Sequence, residues 1–132
     1  MVGDNINLSA TDVRILNGRA YVSYHTNDEF YDNTPNGALR IFDIQNHTAP
    51  SLISEAIFNK VEFNGIDIAS DKLYAVGGDK DGARLVETKL SDGTFITGDF
   101  SYFQTHKIPG VAAKNSLIYN NMLWLVSGGA NG

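Results

Sequence analysis

The stretch TDVRILNGRAYV at residues 11–22 aligns without gaps to NGIDIASDKLYA at residues 64–75. A third copy, KNSLIYNNMLWL, occupies residues 114–125. Tyr21, Tyr74 and Trp124 take the same place in the three copies, so the copies are offset by 53 and then 50 residues. Self-similarity at a period of about 50 residues is typical of repeat architectures, so this stretch decides the fold.

Each copy has the pattern of a strand, a two-residue polar turn and a second strand. The turns are Asn17-Gly18, Ser70-Asp71 and Asn120-Asn121. Asn-Gly is the strongest short signal for a β-hairpin, because a type I′ turn needs positive φ at both central residues. The sequence therefore predicts three hairpins at equivalent places in the repeat.

Two further strand candidates follow each of the first two hairpins. They lie at residues 38–44, 52–58, 84–90 and 94–100. Four short antiparallel strands in about 50 residues form the blade of a β-propeller. No segment has a sustained helical period, so we expect an all-β chain with little or no helix.

The repeat predicts one propeller segment over residues 1–132, made of antiparallel four-stranded blades. Blade 1 would span about residues 10–58 and blade 2 about residues 62–104, followed by a partial third blade at about residues 111–132. Because about two and a half blades cannot close a ring, we expect a fragment of a larger propeller. Its partners would be other blades or copies of itself, bound through exposed strand edges.

The second strand of each hairpin is apolar on both sides, as in Ala20-Tyr21-Val22. A sheet with one solvated face would alternate polar and apolar residues, whereas a blade is covered on both faces. We therefore expect Tyr21, Tyr74 and Trp124 to be buried between blades. Four glycines are expected where sheets or loops approach closely: Gly77, Gly78, Gly128 and Gly129.

Composition limits the classes of function. The net charge of −5 and the pI near 4.9 argue against binding to nucleic acid or anionic membranes, which needs a basic patch. The chain has no cysteine, which excludes disulfides and thiolate metal sites. No apolar run is long enough for a spanning helix, so we expect no membrane insertion, and Met1 to Leu8 has no signal-peptide pattern.

The first repeat resembles the LVIVD repeat. The resemblance rests on GALRIFDI at residues 37–44, on the loop with Pro50 that leads to Leu52-Ile53, and on Ala20-Tyr21-Val22. It covers mainly residues 11–58 and 64–78. Glu87-Thr88-Lys89 departs from the pattern. The resemblance implies a propeller-like repeat in an extracellular or cell-surface protein, with no particular chemistry.

Two acidic segments are candidate metal or ligand sites. Asp79 and Asp81 have the alternate spacing of a calcium loop, but no closing acidic ligand follows, so a plain hairpin turn explains them better. Asp28, Glu29 and Asp32 lie in a long loop, and long loops in compact folds are often functional. The alternative for this loop is a solvated insertion. Calcium is thus the only cofactor that the sequence suggests, and weakly.

The remaining polar residues point to no catalytic set. His25, His47 and His106 share no metal-ligand spacing, and Asp43 is expected to bind backbone amides of the next loop. Equivalent positions of the innermost strands hold Arg14, Asp67 and Leu117, which is not a repeated ligand set.

We therefore expect a non-enzymatic segment that binds or scaffolds a protein or carbohydrate. The alternative is a fragment of a propeller enzyme, a hydrolase or dehydrogenase, with a metal or quinone in the central channel; fold alone does not choose between them.

Overall fold

The computed structural model describes residues 7–26, 36–96 and 100–129. Their regular structure is β-strand, apart from a short 3-10 helix at Phe100–Tyr102. All strand pairings are antiparallel. The all-β antiparallel prediction is confirmed, and the described strands form no closed sheet. No described helix is long and apolar enough to cross a membrane.

The first sheet has four strands in chain order: β1 (Leu8–Leu16), β2 (Arg19–Thr26), β3 (Asn36–Asp43) and β4 (Ser51–Asn59). Asn17 and Gly18 have φ of 50° and 73°, so the turn between β1 and β2 has the positive φ values that a type I′ turn requires. Asp43 Oδ1 accepts a hydrogen bond from the Gln45 amide at 2.9 Å, which confirms the structural role expected for Asp43.

The second sheet contains β5 (Glu62–Ala69), β6 (Lys72–Asp79), β7 (Gly82–Ser91), β8 (Thr94–Phe95) and β9 (Phe103–Lys107). The third sheet is the hairpin of β10 (Ala112–Tyr119) and β11 (Met122–Gly128). The structure therefore contains all three predicted hairpins, β1–β2, β5–β6 and β10–β11.

The strand predicted at residues 94–100 is found only in part. Asp92 and Gly93 have positive φ and form a tight turn after β7, and Thr94 and Phe95 pair back onto it, whereas Phe100 belongs to the 3-10 helix. Phe95 is buried in the core and packs on the ring of Phe103. The strand that runs along β7 is β9, which pairs from Phe103 to Lys107.

Each hairpin has a β-bulge at the same place in its first strand. Pairing shifts by one residue at Thr11, at Asn64 and at Lys114. These positions are again separated by 53 and 50 residues. Because a bulge increases local twist and re-aims side chains, the three hairpins share a backbone feature that the sequence alignment alone does not reveal.

The main core lies between the first and second sheets. Its largest fully buried side chains are Phe63, Leu39, Ile41, Ile66, Leu73 and Val86. A smaller core of Val76, Ala83 and Ala113 lies between the second and third sheets. The second sheet is thus covered on both faces, which is the arrangement that two-sided apolar strands predict.

The three aromatic anchors differ in burial. Tyr21 is buried, and its hydroxyl donates a hydrogen bond to the Gly93 carbonyl at 3.1 Å. Tyr74 is half-buried. Trp124 is 54% exposed, so its predicted burial is wrong. The physical reason is that no described sheet follows the third hairpin in the way that the second and third sheets follow the first two.

The glycine prediction is correct at Gly77 and wrong at Gly129. A Cβ at Gly77 would lie 1.8 Å from the Glu62 carbonyl oxygen, on the neighbouring strand. A Cβ at Gly129 would meet nothing within 4 Å. Close backbone approach therefore requires glycine at Gly77, whereas Gly129 lies in open space.

Candidate binding surface

The acidic candidates do not form a metal site in the described part of the chain. Asp28, Glu29 and Asp32 lie outside the described residues. Asp79 lies at the β6–β7 turn, where its Oδ2 accepts a hydrogen bond from Arg84 Nε at 2.7 Å and its Oδ1 accepts one from the Asp81 amide at 2.8 Å. Both oxygens of Asp79 therefore stabilise the turn. Within residues 7–26, 36–96 and 100–129, no group of three or more His, Cys, Asp or Glu side chains is placed to hold a metal.

Asp81 belongs to a surface ion pair. Lys80 Nζ donates a hydrogen bond to Asp81 Oδ1 at 2.8 Å. This bond holds the pKa of the Asp81 carboxyl below its ordinary value and raises the pKa of the Lys80 ammonium. Exposed pairs of this kind contribute little to stability, so Asp81 is a solvated turn residue.

The histidines lie on separate elements. His25 is on β2, His47 is in the exposed loop between β3 and β4, and His106 is on β9. His106 Nε2 lies 3.4 Å from Glu87 Oε1 on the paired strand β7. The structure does not bring the three rings together.

The first strand of each hairpin is a sheet edge whose backbone amides are bound by nearby side chains. Asp12 Oδ1 accepts a hydrogen bond from the Val13 amide at 2.8 Å, Asp67 Oδ1 accepts one from the Ile68 amide at 2.9 Å, and Asn115 Oδ1 accepts one from the Ser116 amide at 2.8 Å. An edge with satisfied donors is a poor template for another strand.

The same strands are joined across the sheets by side-chain hydrogen bonds. Asp12 Oδ2 accepts a bond from the Ile66 amide at 3.1 Å, and Asp67 Oδ2 accepts one from the Ile118 amide at 2.7 Å. The bulge residues make a second link: Thr11 Oγ1 donates to the Phe63 carbonyl and Asn64 Nδ2 donates to the Ala113 carbonyl, both at 2.9 Å. Each sheet is thus joined to the next by two side-chain links, of which the bulge link has the same repeat position in both cases.

One position of the first hairpin strand holds a different type of residue in each repeat: Arg14, Asp67 and Leu117. Arg14 Nη1 donates to Asp12 Oδ1 at 2.8 Å, and Arg14 Nε lies 3.6 Å from Asp67 Oδ1. In the third repeat the position is filled by Leu117, which is 56% exposed. The charged groups of the first two repeats therefore bind one another and the backbone.

The third sheet has an exposed apolar face. We call the face that contains Tyr21, Tyr74 or Trp124 the front face of its sheet, and the opposite face the back face. The front face of the third sheet consists of Leu117, Tyr119, Met122, Trp124 and Val126, each at least 50% exposed. Val76, the equivalent of Val126, is fully buried. Five of the exposed large apolar side chains of the described residues thus lie together on this face.

The back face of the first sheet is the other open apolar face. Val13 and Ile15 are 47% and 69% exposed there. Their equivalents on the second sheet, Ile66 and Ile68, are fully and partly buried against the first sheet. The stack of sheets therefore has an open back face at one end and an open front face at the other.

A shallow pocket of about 150 Å³ lies at the outer edge of the second sheet. Lys72, Glu87 and Lys89 contribute to its wall. Its volume is below the roughly 300–1,000 Å³ of small-molecule sites, so this pocket is too small to be one.

Sequence reasoning missed the amide-binding role of Asp12, Asp67 and Asn115. Asp12 and Asn115 directly follow the bulge residue of their strand, whereas Asp67 comes three residues after the bulge residue Asn64. Because the amide-binding side chain does not have the same repeat position in all three copies, an alignment of the copies does not reveal it. The front face of the third sheet does have a sequence signal, because its residues are all apolar: Leu117, Tyr119, Met122, Trp124 and Val126.

A scan against protein-family models, a search of curated proteins and a search of solved structures each found no match to this chain.

Proposed function

We propose that this chain is a segment of a propeller-type repeat protein that binds or scaffolds other proteins and performs no catalysis. The observation that carries the proposal is the exposed front face of the third sheet, with Trp124 at its centre. Contiguous exposed apolar surface marks interaction sites on proteins, and tryptophan and tyrosine are enriched among the residues that dominate binding energy.

The propeller assignment is supported by the way successive sheets pack. The first sheet is a four-stranded antiparallel meander, and the second repeats it through β5, β6, β7 and β9. Equivalent hydrogen bonds of the bulge residues Thr11 and Asn64 join β1 to β5 and β5 to β10, and the carboxylates of Asp12 and Asp67 join the same pairs of strands. Radial repetition of such sheets, with the first strands innermost, is the arrangement of propeller blades. The LVIVD resemblance of residues 37–53 agrees with it.

A binding role is favoured over a channel enzyme by the use of the inner-strand carboxylates. The carboxylate oxygens of Asp12 and Asp67 accept hydrogen bonds from backbone amides, and both carboxylates pair with the Arg14 guanidinium. A propeller enzyme would instead direct polar ligands from several blades at one central point. Leu117 at the equivalent place in the third sheet supplies no ligand atom.

The chemistry of the face favours a protein partner over a carbohydrate. Sugar sites combine an aromatic platform with hydrogen-bonding side chains, because buried hydroxyls need partners. Leu117, Met122 and Val126 surround Trp124 with aliphatic groups. Such a surface matches the apolar face of another β-sheet.

The test is whether Trp124 becomes buried on association. Light scattering and tryptophan emission would be measured over a range of protein concentrations, since Trp124 is the chain's one tryptophan. We expect the mass to rise and the emission to move to shorter wavelength together. Leu117→Glu, which charges the same face and keeps the tryptophan, would abolish both changes, while Lys89→Glu, at a side chain 65% exposed on another surface, would leave the association intact. A monomer with solvent-exposed emission at every concentration would refute the proposal.

A further inference from the structure

The front faces of the first and second sheets each have a defined partner within the chain. The front face of the first sheet packs on the back face of the second, so that Tyr21 shares a core with Leu73 and Ile66. The front face of the second sheet packs on the back face of the third, where Val76 shares a core with Ala113. The occupant of a front face is in both cases the back face of the next repeat.

Of the two faces that remain open, one is a front face and the other is a back face. The third sheet has a front face with nothing on it, and the first sheet has a back face with nothing on it, within the described residues. We propose that the front face of the third sheet binds the back face of the first sheet of a second copy of this chain, head to tail. This inference rests on the proposed binding function and specifies its partner.

The internal contacts give the register of the proposed interface. Asp67 on the second sheet is linked to Ile118 on the third by a 2.7 Å hydrogen bond. Leu117 is the repeat equivalent of Asp67, and Ile15 is the equivalent of Ile118. Leu117 of one copy should therefore lie against Ile15 of the other. Both side chains are more than half exposed and aliphatic, so their contact would remove apolar surface from water on both copies.

The first strand of the first sheet is a poor candidate for edge pairing, which is the other way in which copies could associate. The Val13 amide on the β1 edge is bound by Asp12. The front and back faces carry the exposed apolar side chains. Face stacking therefore explains more of the exposed surface than strand addition at β1 does.

Head-to-tail contact generates a closed ring or an open filament, depending on the angle between copies. Each copy contributes three sheets. Two copies would give six sheets, within the range of about four to eight blades that close into a propeller. For a chain of these 132 residues, the closed form is therefore a dimer with twice the 14.4 kDa mass of one chain.

Engineered cysteines test the interface cleanly, because the chain has none of its own. Ile15→Cys and Leu117→Cys chains, one labelled with ¹⁵N, are mixed, oxidised and analysed by mass spectrometry. Disulfides form only where Cα atoms lie about 4.4–6.8 Å apart. We expect disulfide dimers of one labelled and one unlabelled chain, and few of either variant alone. Lys89→Cys in place of Leu117→Cys is the matched control and should give no mixed dimer with Ile15→Cys.

The outcomes separate this inference from the proposed function. The double variant Ile15→Cys/Leu117→Cys should oxidise to a covalent dimer, and a ladder of larger species would overturn the closed arrangement. Dimers of Leu117→Cys with itself would overturn the head-to-tail contact, because they require two front faces to meet. Association that buries Trp124 without any mixed disulfide would overturn this inference and leave the binding function standing. Absence of association would refute both this inference and the proposed binding function.

Discussion

The carboxylate of Asp67 on β5 accepts the backbone amide of Ile118 on β10 at 2.7 Å, across two separate sheets. Its other oxygen accepts the Ile68 amide at 2.9 Å. The residue is 8% exposed, with the Arg14 guanidinium 3.6 Å away to balance its charge. One buried carboxylate thus joins the third sheet to the second, together with the Asn64–Ala113 hydrogen bond.

Replacement of Asp67 by Asn should destabilise the chain. The variant keeps the shape but turns one acceptor oxygen into a donor that faces a backbone amide. Loss of a hydrogen bond to a charged group, with a buried amide left unsatisfied, costs about 1–3 kcal/mol. We expect a decrease of this size in the free energy of unfolding, measured by urea denaturation. Asp71→Asn, at an exposed carboxylate 3.6 Å from Lys89 Nζ, is the control and should change stability by less than about 0.5 kcal/mol.

The Asp79 side chain should stabilise the β6–β7 turn independently of calcium. Its pair with Arg84 is mostly buried, at 18% and 11% side-chain exposure. Asp79→Ala would leave the guanidinium without its partner, and we expect a loss of about 1–3 kcal/mol. Melting curves with excess calcium and with EDTA should show the same loss. A loss confined to the calcium-containing sample would instead identify Asp79 as a metal ligand.

Asp81 provides the comparison for Asp79 within the same turn. Its carboxylate is paired with Lys80 in solvent, where ion pairs contribute little. The pKa of Asp81 is lowered by that pair, so any contribution is present above the ordinary carboxyl pKa and is lost as the pH falls through the lowered value. We expect Asp81→Ala to leave the melting temperature unchanged at neutral pH.

The hairpins could be predicted from the sequence because their determinants are local. Asn17-Gly18 and Asn120-Asn121 favour positive φ through their own chemistry, and the structure has positive φ at all four residues. The fourth strand of the second repeat could not be placed in this way. Its position depends on the burial of Phe95 beside Phe103, which is a contact between residues that no periodicity connects.

The candidate surface was only partly predictable for a similar reason. The apolar character of both sides of β10 and β11 is visible in the sequence, but the exposure of either side depends on what packs against it. Trp124 has the same place in the repeat as Tyr21, yet one is exposed and the other buried. The amide links of Asp12 and Asp67 depend on the distance between edge strands, and sequence alone gives no such distance.

Gly77 is predicted to be required for folding of the second sheet. A Cβ there would overlap the carbonyl oxygen of Glu62 and approach Phe63 Cα to 2.9 Å, and both are backbone atoms that cannot rotate away. Overpacking of a well-packed sheet costs about 1–3 kcal/mol and occasionally more. We expect Gly77→Ala to lower the urea midpoint, and the corresponding loss in the free energy of unfolding should lie at or above the top of that range. Gly129→Ala, where a Cβ meets nothing within 4 Å, should leave the midpoint in place, and equal effects of the two would contradict the close approach.

Tyr21 and Trp124 give the last prediction, because they share a repeat position and differ in burial. Tyr21→Ala removes a ring that is 3% exposed and a hydroxyl bonded to Gly93, and truncation of a buried aromatic costs about 3–5 kcal/mol. Trp124→Ala removes a ring that is 54% exposed, so in dilute monomer the free energy of unfolding should change by less than about 0.5 kcal/mol. Urea denaturation, followed by circular dichroism because the variant lacks its tryptophan, measures both. At concentrations where the wild type associates, Trp124→Ala should lose the added stability that association gives. A large loss for Trp124→Ala in the monomer would mean that the front face of the third sheet is already covered within one chain.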